Sequence, residues 1–109
     1  MDFSKYQEQS KSTALYPKIE ESYVYPTMGL ANEAGEVLGV VKKIFRDQNG
    51  EVTDEVKRKI KKELGDVLWY VAQVATEFDL KLDDVAQANI DKLASRKERG
   101  TLHGDGDDR

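Results

Sequence analysis

Apolar side chains recur at helical spacing in three long stretches of this chain. In the first, Leu30, Ala34, Val37, Leu38, Val41, Ile44 and Phe45 fall on one side of a wheel that turns about 100° per residue. In the second, Ile60, Leu64, Val67, Leu68, Val71, Val74, Ala75 and Phe78 do the same. The spacing predicts a helix from Thr27 to Arg46, closed by the turn signal Asp47-Gln48-Asn49-Gly50, with Pro26 near its start. A second is predicted from an N-cap at Thr53 to Phe78, with Asp54 and Glu55 favourably placed in its first turn. A narrower stripe of Ala86, Ile90 and Leu93 predicts a helix from Asp83 to Arg99, ended by Gly100. The weaker series Phe3, Tyr6, Ser10 and Ala14 predicts an N-terminal helix reaching Tyr16, where Pro17 disfavours continuation. No strand of consequence is expected, so the fold class is all-α.

The two long stretches also carry one short motif twice, thirty residues apart. Glu33-Ala34-Gly35-Glu36-Val37-Leu38-Gly39-Val40-Val41 and Glu63-Leu64-Gly65-Asp66-Val67-Leu68-Trp69-Tyr70-Val71 both read E-x-G-acid-V-L-x-x-V. On ideal geometry Glu33 and Glu63 lie roughly 80° from the centre of their stripes, and Glu36 and Asp66 roughly 140° on the same side. Packed antiparallel, the helices face four carboxylates across one cleft. Such a cluster repels itself unless cations sit within it. With no Cys in the chain and no His near these helices, the donors are hard oxygens, which suits Mg²⁺ or Mn²⁺ and argues against zinc. Ordinary helices with solvated acidic flanks are the alternative, and two pairs in matching phase weigh against it. Asp47-Gln48-Asn49-Gly50 opens like a calcium loop, but its glycine comes fourth where an EF-hand needs it sixth.

Composition narrows the field further. A chain of 109 residues is one domain, and 17 Lys and Arg against 21 Asp and Glu leave no basic excess for a nucleic-acid surface. No run approaches a membrane span, the polar N-terminus lacks the apolar core of a signal peptide, and the absence of Cys fits a reducing compartment, so a cytoplasmic location is expected. On the fourth helix Asn89, Lys92, Arg96 and Arg99 lie to one side of the apolar stripe, either as a solvated face or as a holder of phosphate oxygens opposite an acidic metal cleft. Four of the five tyrosines precede residue 26 and can serve as core or as a stacking wall for a base. Trp69 falls roughly opposite the core stripe of its helix, where an exposed indole would mark a self-association surface. Residues 101–109 are glycine-rich and acidic, so a flexible tail is expected there, with the lone His103 an exposed side chain.

The two acid pairs, with Gly29-Leu30-Ala31-Asn32-Glu33-Ala34-Gly35-Glu36, Leu64-Gly65-Asp66-Val67-Leu68-Trp69-Tyr70 and the run Asn89 to Gly100, resemble the MazG-like nucleotide pyrophosphohydrolases, particularly short phage-type members. The resemblance covers nearly the whole chain and implies a domain over residues 1–100 with an all-α, four-helix-bundle-like fold, assembled as a homodimer or dimer of dimers. It implies Mg²⁺-dependent cleavage of nucleoside triphosphates to monophosphate and pyrophosphate. Glu33, Glu36, Glu63 and Asp66 match the family's metal ligands, with Glu36 and Glu63 also the candidate catalytic acids. Asn89 and Lys92 match positions associated with substrate phosphates or sugar, Arg96 would join Lys92 at the departing pyrophosphate, and Tyr70 would line the pocket. A dUTPase, a dCTPase or a phosphoribosyl-ATP pyrophosphatase shares this acid-rich design and differs in the base pocket. A non-enzymatic helical interaction module is the reading from another class.

Overall fold

A computed structural model describes residues 1–109 as four α-helices: α1 Phe3–Ser10, α2 Val24–Asp47, α3 Asp54–Glu77 and α4 Leu82–Glu98. A 3₁₀ turn Lys11–Thr13 follows α1, and a single β-bridge between Ile19 and Glu21 is the only sheet-like pairing. The boundaries are set by local chemistry. At the start of α3 the Thr53 side chain accepts from the Val56 amide, as expected for an N-cap. α2 begins at Val24 rather than Thr27, because the buried Pro26 sits in its first turn, where a missing N–H leaves nothing unsatisfied.

The N-terminal helix stops well short of Tyr16. The hydroxyls of Ser10, Ser12 and Thr13 bond back to the carbonyls of Gln7, Gln9 and Ser10, and these local bonds draw the backbone into the 3₁₀ turn. α3 and α4 both end in the double hydrogen bond of a Schellman motif. Leu80 N reaches Ala75 O past Asp79 at φ 55°, and Thr101 N reaches Arg96 O past Gly100 at φ 70°.

α2 and α3 run antiparallel and form the most extensive contact in the molecule; α1 packs on α3, and α4 leaves the end of α3 to lie against α1. A polar staple holds this second layer. Gln73, 1% exposed, donates to Ser10 Oγ at 2.8 Å. Gln7 donates to Thr76 Oγ1 and Leu80 O and accepts from Leu82 N at 2.8 Å. That last bond explains why α4 starts at Leu82 and not at the aspartates that follow. Its first amide is satisfied from α1, so no side-chain cap of its own is needed.

The chain does not close a four-helix bundle by itself. Its radius of gyration is 16.8 Å, against about 13 Å for a compact domain of this length, and only nine residues are buried. Of the stripe on α2, Ile44 is buried while Leu38 is 69% and Phe45 72% exposed. Trp69 corrects the expectation of an exposed indole. It is half-buried, donates to Thr13 Oγ1 at 2.9 Å and meets Tyr16 edge-on, so the segment after α1 covers it.

One close approach sets the spacing of α2 and α3. Tyr70 lies directly over Gly29, where a Cβ would come within 2.2 Å of Tyr70 Cε1, and Trp69 stands edge-on to the same ring at 5.0 Å. Gly29→Ala is therefore expected to destabilise the fold by about 1–2 kcal/mol, overpacking outweighing the gain in helix propensity. The same change in a Tyr70→Ala background should lose that penalty. Thermal or urea melts of the double-mutant cycle check it, and equal effects in both backgrounds would refute the contact's role.

Candidate active site

The antiparallel pairing carries the two motifs past each other so that their acids meet. Glu33 from α2 and Glu63 and Asp66 from α3 each place a carboxylate oxygen within 4.8 Å of the others. Glu36 lies one turn beyond Glu33. Its carboxylate stands outside that close set, yet its charge acts on Glu33, and with Glu63 it lines the adjoining pocket. Two unit charges about 4 Å apart repel by about 1 kcal/mol in bulk water and about 4 kcal/mol near a protein surface. The strain is visible on Glu33. Desolvation, then the negative charges of Asp66, Glu63 and Glu36, hold its carboxyl above the usual range. Three clustered carboxylates with a fourth beside them are a donor set of hard oxygens that fits a divalent cation.

Aromatic side chains close one end of this cleft. Tyr16 and Tyr25 stack at 5.6 Å with their planes 11° apart, Trp69 meets Tyr16 edge-on at 6.2 Å, and Tyr70 completes the group beside Gly29. Burial first, then Tyr25 and the charge of Glu33, raise the Tyr70 hydroxyl above its usual pKa. Tyr16 donates to Glu77 at 2.5 Å, and burial together with that bond pushes its pKa upward. Tyr6 of α1 is raised by burial and then by the charge of Asp66. Of the clustered N-terminal tyrosines, Tyr16 and Tyr25 thus pack on each other beside Tyr70, while Tyr23 packs on Phe78 at 5.0 Å.

Beyond the acids at the opposite end lies a pocket of about 310 Å³ between α2 and α3, lined by Glu36, Gly39, Lys43, Lys59, Lys62 and Glu63 among others. Sequence reasoning passed over these lysines. Lys59 and Lys62 lie four residues before Glu63 and Asp66, and Lys43 lies seven after Glu36, a signal present in the sequence but indistinguishable there from an ordinary solvated flank.

The polar strip of α4 is placed differently from the cation-facing-acid arrangement expected of it. α4 packs on α1 and the end of α3, and within the chain its cations turn to the C-terminal segment. Lys92 Nζ meets Asp107 Oδ1 at 3.0 Å; Arg96, 4% exposed, bonds both the carboxylate and the carbonyl oxygen of Asp107. These two cations hold the Asp107 carboxyl below the usual range. Asn89 is exposed on the same helix. The segment after Gly100 is further tied by Arg109, which donates to the carbonyls of Thr101 and Leu102, while Arg99 donates to Arg109 O. His103 is exposed.

Comparison with known proteins accounts for the doubled motif. The chain is 48% identical over 109 residues to the Gene 37 protein of Mycobacterium phage L5, covering 95% of this chain and 96% of that protein. No solved structure matches it. The model of the MazG nucleotide pyrophosphohydrolase domain matches residues 25–101, which begins at the aromatic wall, takes in all four acids and ends with α4. The chain belongs to the MazG nucleotide pyrophosphohydrolase domain family.

Proposed function

We propose that this protein is a Mg²⁺-dependent pyrophosphohydrolase that converts nucleoside triphosphates to monophosphate and pyrophosphate, with Mn²⁺ as a possible substitute ion. The observation that carries the reading is the meeting of Glu33, Glu63 and Asp66 across α2 and α3, with Glu36 beside them. A divalent cation bound there supplies charge neutralisation and polarisation of the phosphate oxygens. Glu33, Glu63 and Asp66 hold it. Glu36, exposed and outside the close set, orients a water and accepts its proton as the water oxygen attacks the α-phosphorus. The bond from that phosphorus to the bridging oxygen breaks and pyrophosphate departs. Tyr70 and the stacked Tyr16 and Tyr25 offer the base and sugar an apolar face beside the acids.

The same reading includes a second copy of the chain. Leu38, Phe45 and Leu64 are more than half exposed, and Val41, Ile44, Val52, Val56 and Ile60 line an open apolar pocket of about 570 Å³ next to Leu64. Burying side chains of this size stabilises by about 1.5–3 kcal/mol each. A homodimer, alone or paired into a tetramer, would cover them and would bring α4 of one copy, with Asn89, Lys92 and Arg96, to the cleft of the other. Asp107 would then give way to substrate phosphates on Lys92 and Arg96.

Three outcomes are expected. Glu36→Gln and Asp66→Asn should abolish Mg²⁺-dependent pyrophosphate release across a panel of nucleotides and raise the melting temperature of metal-free protein, because each removes repulsion; Mg²⁺ should stabilise the parent far more than Asp66→Asn, which lacks one ligand. Equal melts with chelator and with millimolar Mg²⁺ would refute the metal site.

The raised Glu33 carboxyl means that the folded state binds its proton more tightly than the unfolded chain. Metal-free stability should therefore fall as pH rises from the ordinary glutamate range through that raised value, and saturating Mg²⁺ should remove the fall. Denaturant titrations across pH check the sign.

For the assembly, sedimentation at micromolar concentration should show a dimer or larger. Inactive Asp66→Asn and Lys92→Ala proteins, unfolded and refolded together, should recover about a quarter of parental activity by statistical mixing. No recovery would place α4 and the acids of each site on one chain.

A further inference from the structure

We infer that the pocket carrying Lys43, Lys59 and Lys62 receives the β- and γ-phosphates of the triphosphate and so fixes the direction in which the substrate lies along the α2–α3 cleft. This rests on the pyrophosphohydrolase reading of the acids and extends it. Successive turns of the paired helices present first Gly29 against Tyr70, then Glu33 with Asp66, then Glu36 with Glu63, and then the lysines. Each turn advances about 5.4 Å. An aromatic end, an anionic middle and a cationic end follow one another along the paired helices, which is the order of base, metal-bridged α-phosphate and terminal phosphates.

No ion pair joins the lysines of the pocket to its glutamates, and Lys43 acts only at a distance on Asp47 outside it. Lys43 and Lys62 form no salt bridge, and neither bonds to the glutamates that share the pocket with them. Lys59 has only Glu55, at 3.4 Å on an exposed flank, a pairing of little energetic weight. Acids and lysines a turn apart have thus not neutralised each other. A ligand whose oxygens are partly shared with a cation and partly free satisfies both sets, and a polyphosphate is such a ligand. Lysine suits the terminal phosphates because its ammonium is a point charge that follows a mobile anion. As the bond to the α-phosphorus breaks, charge grows on the departing pyrophosphate, and the three ammonium groups stabilise it there. The reverse orientation would put a base among three lysines and the phosphates against tyrosines.

The test uses the full-length protein with Lys43→Ala and Lys62→Ala, singly and together, and with both changed to Arg, each checked for helicity by circular dichroism. Turnover of a nucleoside triphosphate panel is measured with Mg²⁺, and binding of inorganic pyrophosphate and of nucleoside monophosphate by calorimetry. The double alanine variant should raise KM for the triphosphate and weaken Mg²⁺-pyrophosphate binding by about tenfold or more. Monophosphate binding should stay within about twofold, since it occupies the other end, and the arginine variant should retain most of the parental behaviour. If the parent hydrolyses triphosphates and the alanine variants match it in KM and pyrophosphate binding, the pocket assignment is overturned while the activity stands. Lysine-dependent pyrophosphate binding by a parent that hydrolyses no nucleotide would support the pocket and overturn the activity instead.

Discussion

The pairing of α2 with α3 is the constraint on which the rest of this molecule depends. Apolar contact centred on Ile44 and Val56 holds the two helices in a register that also forces Glu33 against Glu63 and Asp66. Attraction along one face therefore sustains repulsion along its edge. A fold selected only for stability would stagger these acids or replace one with an amide, since removing a like charge from such a cluster relieves strain at no cost in packing. Keeping all four makes sense where a cation is the missing partner, and the same register gives the cleft its aromatic and cationic ends.

The remainder of the chain is organised to support that pair without completing it. α1 and α4 are attached to the far end of α3 through Gln7, Ser10 and Gln73, hydrogen-bonded side chains that specify position but contribute little apolar burial. The interior that results is small, and the exposed Leu38, Phe45 and Leu64 lie on the helices that carry the site, not at its periphery. Association and catalysis would then draw on one scaffold. Covering those side chains with a second copy would also stiffen the register that positions the acids. The contact of Asp107 with Lys92 and Arg96 belongs to the same economy of charge. Cations on an isolated α4 take the nearest carboxylate, which here comes from the C-terminal segment.

The helical stripes, the turn at Asp47–Gly50 and the cap at Thr53 were legible in the sequence because they follow from spacing and from bonds between neighbours along the chain. The paired acid motifs were legible for the same reason: a phase repeated on two helices needs only antiparallel packing to converge, and Glu33, Glu63 and Asp66 do converge. Tertiary structure decided what depends on residues distant in sequence. Leu82 begins α4 because Gln7 reaches its amide across 75 positions, and Trp69 is covered because Thr13 and Tyr16 fold back over it. The hydroxyls that end α1 early act locally, and Ser10 is held from α3 as well, by Gln73. Lys92 and Arg96 sit on the predicted face of α4, yet a helical wheel says which side a charge is on and nothing of what faces it. The direction α4 takes from α3 turned that face to Asp107, and the closeness of α2 to α3 gave three unremarked lysines a shared pocket beside the acids.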